Sequence, residues 1–331
     1  MGSFDELVMV DWSAASAPRT GRDSVWVAHA TASGCDAVAT VNPPTRSASF
    51  DVVAEILERA VDAGRSVLVG VDFSLGYPVG FAGCTDPVRR TDDVRRTDDV
   101  PRTGDVVPPW LATWNLLAAL VVDRPDNTNN RFECANRINR QSGTALFWGR
   151  PTGRRHDHLR WLPPRRATPP GLRPNPCRAL RITERAAGGG IRSNFQLFGG
   201  VTVGGQVLTG LPWVSRLVAS LGESIAVWPL QTGWLGDPLA TGRPIVLVEA
   251  WPTLFGPVSS SATVRDEAQV RLVVDAWRRA DADGWPGWFD PPGAAVTAGE
   301  PPSGPTVPID SGSGASPVLS EEGWILGVGR D

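Results

Sequence analysis

The sequence contains no lysine. All 32 basic residues are arginine, set against 35 acidic ones for a net charge of −3. Chemistry that needs a lysine amine is thereby excluded: a Schiff base, a phosphate-loop lysine, a lysine–nucleotidyl adduct. Enrichment in Arg, Ala, Gly, Pro and Trp fits GC-rich codons, the simplest reason for the missing lysine. Histidine is scarce too. His29, His156 and His158 are the only three, and His29 falls in a strand-like run, so Ser/His/Asp catalysis has no support. Four cysteines (Cys35, Cys84, Cys134, Cys177) lie far apart with no C-x-x-C pair. Neither a zinc site nor a disulfide framework is indicated, and a reducing cytoplasm is the expected location. Apolar runs such as residues 116–122 are far short of the roughly 20 residues that cross a bilayer, so no membrane is expected. Residues 1–6 are acidic and carry no basic segment of a secretory signal. No Walker A sequence, G-x-G-x-x-G or G-x-S-x-G occurs.

What is present is unevenly spread. Residues 131–192 hold 14 Arg against three acids, a net of +11, and the remainder carries 18 Arg against 32 acids, a net of −14. A basic block in an acidic protein points to an anionic partner, or else to a loop whose charges pair with the acidic body.

Periodicity gives the coarse organisation. Residues 7–10, 24–30 and 36–41 read as strands. Phe50, Val53, Ala54, Leu57, Ala60 and Val61 repeat at helical spacing, with Gly64 as the stop. Residues 66–73 (SVLVGVDF) and 244–250 (PIVLVEA) are continuous apolar runs suited to buried parallel strands. A helix over about 264–280 follows. The expected fold is α/β, a mixed sheet built β-β-β-α-β, then a long insertion, then β-α, flanked by helices. Residues 1–80 form the first part of the core, 81–243 the insertion, and 244–289 the second part. A flexible linker is expected over 290–318 and a docking segment over 319–331. Within the insertion, residues 87–105 are a near-perfect charge-balanced repeat, expected to be disordered. Residues 110–122 and 213–221 read as helices, and the Gly-rich 199–210 as a turn or hairpin.

Three acids end strand-like runs: Val-Met-Val-Asp at Asp11, Val-Gly-Val-Asp at Asp72 and Val-Leu-Val-Glu at Glu249. In open α/β sheets this edge is where ligands bind. If the strands are neighbours the carboxylates converge, and a hard cation, Mg²⁺ or Mn²⁺, relieves their repulsion. Asp266 lies about 40° from Val270 around the following helix and points toward the sheet. It is a fourth candidate ligand, or else the end of a Thr263-x-x-Asp266 capping box.

Val10-Asp11-Trp12-Ser13, the run from Val71-Asp72-Phe73-Ser74 to Pro78, Asn129 to Glu133, Trp228-Pro229, Val248 to Pro252, Asp266-x-x-Gln269 and Glu322 to Ile325 together resemble the domain of unknown function 429 family. That family is regarded as predicted nucleases of RNase H-like fold. The resemblance implies an RNase H-like core, hydrolase activity, and two divalent metals about 3.5–4 Å apart. Asp11 would bridge them, Asp72 and Glu249 would each support one, and Asp266 would complete the set. Such nucleases usually take their last carboxylate from a helix, whereas Glu249 is on a strand.

Other polar residues are candidates for substrate contact. Ser13 and Ser74 each lie two residues past an acid. Asn130, Arg131 and Glu133, with Asn136 and Asn139, present a polar face to a phosphate or sugar, or form a buried network. Arg154 and Arg155 belong to a stretch that interleaves Arg with Trp148 and Trp161, on which bases stack while Arg binds phosphate. His156-x-His158 is expected at the surface, and Gln206 either contacts substrate or serves a turn. The expectation is a cytoplasmic metal-dependent phosphodiesterase or nuclease acting on nucleic acid or a nucleotide. Two alternatives stand beside it: an ATP-binding phosphotransferase of the actin and sugar-kinase type on the same core, and a non-catalytic binding protein.

Overall fold

The structure, a computed structural model, describes residues 3–91, 107–188, 190–200, 202–258, 262–291 and 316–330. Six strands form one mixed sheet: β1 (Glu6–Asp11), β2 (Trp26–Thr31), β3 (Ala39–Val41), β4 (Val67–Val71), β7 (Ile225–Val227) and β8 (Ile245–Glu249). Their order is β3-β2-β1-β4-β8-β7. The first three strands form an antiparallel meander, and helix α1 (Arg46–Asp62) then returns the chain to β4, parallel to β1. Strands β8 and β7 continue the parallel half. A two-stranded ladder, β5 (Thr144–Ala145) with β6 (Arg173–Pro174), lies in the insertion.

The pleat sorts side chains onto two cores. Val8, Val10, Val69, Val71 and Leu247 pack on one face with α1, α3 (Pro109–Leu120) and α6 (Gly204–Leu221). Leu7, Met9, Leu68, Val246 and Val248 pack on the other with α7 (Arg265–Ala282) and the C-terminal segment. Helix α7 lies across β1 and β2. Its Trp277 ring sits directly on Gly70, where a Cβ would come within 2.3 Å of the indole. Gly70 therefore lets α7 settle close to the sheet, and that depth sets the height of Asp266 at its first turn.

The insertion adds α2 (Phe81–Thr91), which takes in the start of the repeat at 87–91, as well as α4 (Arg131–Ser142) and α5 (Ile182–Ala187). The rest of the repeat, 92–105, lies outside the described residues, as do 292–315 of the expected linker. Val318 is already buried in a short turn of helix, Val318–Glu322. The turn or hairpin expected over 199–210 does not extend past residue 203. From Gly204 onward the chain is α6, and its glycines serve close packing: a Cβ on Gly204 would lie 2.4 Å from the Asn194 carbonyl oxygen. The edge strand β7, three residues long, was too short for periodicity to announce.

One buried guanidinium joins distant segments. Arg181 is fully buried; its Nη1 and Nη2 donate to the Glu249 carboxylate at 2.8 and 2.5 Å, and its Nε to Glu184 at 2.9 Å. Nη1 also donates to the Glu322 carbonyl at 2.8 Å. The neighbouring Glu321 carboxylate accepts from the backbone N–H groups of Gly80 and Ala82 at the start of α2, at 2.9 and 2.7 Å. Strand β8, α5 and the C-terminal segment thus share one charge centre, and Leu326 N–H donates to Glu249 O alongside it. Arg181→Ala strands Glu249 and Glu184 as buried, unpaired carboxylates. The expected loss is about 3–5 kcal/mol in urea unfolding; a loss under about 1 kcal/mol contradicts this role.

Candidate active site

The twin motifs Asp11-Trp12-Ser13 and Asp72-Phe73-Ser74 build the site by alternation. The parallel ladder pairs Val10 with Val71, so Asp11 and Asp72 are level and share a face. Their following aromatics turn to the opposite face, where the Trp12 and Phe73 rings meet at 5.5 Å and Trp12 also packs on Trp213 at 5.1 Å. Trp12 Nε1 donates to Thr209 Oγ1, and the Trp12 carbonyl accepts from Gln206 Nε2 at 2.7 Å. Helix α6 is thereby tied to the end of β1. With their aromatic neighbours locked, the two carboxylates are held side by side on the α7 face.

They border an open cavity of about 420 Å³, also lined by Ser13, Gln206, Asp266 and Gln269. Asp11 is only 8% exposed. Among the described residues no N–H group donates to it, and its hydrogen-bond partner is the Asp72 carboxyl. Burial, then the charge of Asp72, pushes the Asp11 carboxyl well above the ordinary range. Burial likewise lifts Asp72 from 3.8 to about 6, although it accepts from Asp11 and from Trp12 N–H at 2.7 Å. Asp266 is raised by burial as well, against the N–H of Asp23 that donates to its Oδ2 at 2.7 Å.

Asp23 was not expected here. It lines the cavity from the β1–β2 loop at φ +54°, a conformation uncommon outside glycine. Its carboxylate lies 3.6 Å from Arg19 and 3.7 Å from Arg22, all at the surface. The loop is anchored by buried Arg46, which donates to the carbonyls of Ser13 and Ala15 and pairs with Asp123 at 2.5 Å. Asp23 sits in a polar stretch without periodicity, so only the closure of the loop onto α7 identifies it.

Glu249 does not join the cluster. Its register partner is Val71, one position short of Asp72, so it faces the other side of the sheet. There it is fully buried against Arg181 and Leu75 N–H. The level position on β8 is Ala250, which has no ligating atom in its side chain. The capping box proposed for Asp266 does not form either. The helix begins at Arg265 with Val264 as N-cap and no side-chain cap, which leaves Asp266 free to face the cavity.

The remaining candidates divide. Ser13 lines the cavity and donates to Asp23 O at 2.8 Å. Ser74 is buried 3.1 Å from Asn194 Oδ1. Asn130 is spent locally, accepting from Val122 N–H and donating to Leu120 O. Arg131 donates to Ser16 Oγ and Asn129 Oδ1 and lies over the Phe132 ring at 4.4 Å; burial and the nearby Arg46 lower it to about 10. Glu133 is at the surface 3.7 Å from His158. Arg154 and Arg155 are exposed in a short turn outside the cavity lining. Asn136 and Asn139 bond the backbone of Trp161 and Phe147, the buried-network alternative.

A divalent cation fits this donor set in one way. No group of three or more His, Cys, Asp or Glu side chains among the described residues is arranged to hold a metal by itself. Asp11 and Asp72 do offer carboxylate oxygens in mutual contact, with no ion-pair partner among the described residues, in the lining of a polar cavity. Mg²⁺ is typically held by one or two carboxylates, completing its shell with waters and substrate oxygens. The pair meets that requirement, and Asp266 and Asp23 stand across the cavity.

The raised carboxyls carry a pH consequence. Folding holds protons on the pair that an unfolded chain releases near pH 4, so this contribution to stability falls as pH rises from about 4 through 6. Asp11→Asn keeps a donor toward Asp72 and removes one of the two acids. Its melting temperature without added metal is expected to exceed that of the wild type at pH 7.5, with the gap closing toward pH 4. A gap that does not change with pH contradicts the shared-proton pair. Among known proteins, no family model, no curated protein and no solved structure matches the chain.

Proposed function

We propose that the protein is a metal-dependent phosphodiesterase of RNase H-like architecture, acting on nucleic acid or a nucleotide at the Asp11–Asp72 cavity. The observation that carries the reading is a nine-tenths buried carboxylate, Asp11, pressed against a second carboxylate, neither of them in an ion pair among the described residues. A buried acid pair requires a proton or a cation, and an open cavity above it admits the cation and an anionic ligand together. Support for the architecture comes from the strand order β3-β2-β1-β4-β8, with a meander, then parallel strands, and acids at the ends of β1 and β4. The resemblance to the domain of unknown function 429 family rests on the strand-end motifs and adds the nuclease expectation.

In this reading Asp11 and Asp72 hold the cation, and Asp266 and Asp23 add negative charge across the cavity. When bound, Mg²⁺ or Mn²⁺ polarises a phosphoryl oxygen and lowers the pKa of an attached water. Gln206 and Gln269 present amides that orient phosphate or sugar oxygens, and Ser13 fixes the loop carrying Asp23. Arg19 supplies positive charge at the cavity wall. No lysine is available for that task.

Asp11→Asn and Asp72→Asn are each expected to abolish Mn²⁺-dependent cleavage of oligonucleotide or dinucleotide substrates while leaving the circular-dichroism spectrum intact. Glu249→Gln is expected to lower the melting temperature yet leave Mn²⁺ affinity by titration calorimetry unchanged. Full activity in either Asn variant, or loss of Mn²⁺ binding in Glu249→Gln, overturns the assignment.

A further inference from the structure

The arginines of the basic block are mostly not paired with the acidic body. Among the described residues, Arg150, Arg154, Arg155, Arg165 and Arg166 form no ion pair, whereas buried Arg181 forms two. Three of them, Arg150, Arg165 and Arg166, belong to one local surface. Gly149 and Arg150 donate to the Pro163 carbonyl at 2.8 and 3.1 Å, and Trp148 pairs with Gln196. The Arg166 guanidinium lies over the Trp148 ring at 5.4 Å. Phe198 lies beside Gly149, whose Cβ, if present, would come within 2.5 Å of Phe198 N. Phe198 is 48% exposed, the only aromatic among the strongly exposed large apolar residues described. Thr202, four residues later in the chain, lines the cavity wall, a separation of at most about 14 Å along the chain.

We infer that this surface binds single-stranded nucleic acid, Phe198 stacking on a base while Arg150, Arg165 and Arg166 contact phosphates, so that the cavity's substrate is a strand and not a mononucleotide. The inference rests on the cavity being the reactive centre, since the surface adjoins it. An exposed ring stacks only on a base whose face is free, which a duplex does not offer. Guanidinium groups that form no ion pair, on the same local surface, bind a repeating phosphate backbone with release of counterions.

The test is fluorescence anisotropy with the full chain in EDTA, using a labelled 12-nucleotide single strand. The single strand is expected to bind at least about tenfold more tightly than the matching duplex, and a mononucleotide or polyglutamate competes poorly. Phe198→Ala should weaken the strand about tenfold, with Mn²⁺ binding by calorimetry unchanged. Arg165→Ala with Arg166→Ala should reduce the slope of log affinity against log salt by about 1.4. Equal affinity for duplex, equal competition by mononucleotide or polyglutamate, or no effect of Phe198→Ala overturns the inference. Retained Mn²⁺ binding at Asp11 in that case shows the cavity reading standing without it.

Discussion

A one-residue offset in the parallel ladder between β4 and β8 governs the chemistry of this molecule. Because Glu249 is level with Val71 and not with Asp72, the pleat sends it to the α6 face, while Asp11 and Asp72 stay on the α7 face. The two faces then treat their acids in opposite ways. On one, Glu249 and Glu184 are neutralised by the fully buried Arg181, which also holds the C-terminal segment. On the other, Asp11 and Asp72 form no ion pair among the described residues, and burial raises both carboxyls, with the charge of Asp72 raising Asp11 further.

That asymmetry separates a structural acid from the candidate site. A buried ion pair with every nitrogen occupied makes an inert structural joint, costly only when one partner is lost. A buried acid pair with an open cavity above it is a standing cost in the folded protein at neutral pH. Strain of this kind gathers at functional sites. Asp23 at positive φ, closing the β1–β2 loop onto Asp266, belongs to the same region. The loop is tied to α1 by Arg46, which donates to the Ser13 and Ala15 carbonyls, so the cavity wall has an anchor within the protein.

The strands of the core and the α7 helix were legible because each is a long apolar run or a clean helical period. The pairing of Asp11 with Asp72 was legible because the two motifs repeat residue for residue, aromatic and serine included. Glu249 looked equivalent by the same pattern, and a register shift of one residue is invisible to pattern. Arg181, the residue that claims it, lies 68 positions away. Asp23 and Gln269 carry no periodic signal of their own; they reach the cavity through loop closure and helix phase. The Gly-rich stretch misled because glycine marks both turns and close helix packing, and at Gly204 the backbone of Asn194 decides for the second.

The central claim is that the unpaired carboxylates of Asp11 and Asp72 are a cation seat. Anomalous diffraction from crystals soaked in Mn²⁺ at neutral pH tests it most directly. The account predicts a Mn²⁺ peak within coordination distance of both carboxylates, with none at Glu249. Undisturbed hydrogen bonding between Asp11 and Asp72 with no bound ion, or an ion seated at Glu249 in place of Arg181, would contradict it.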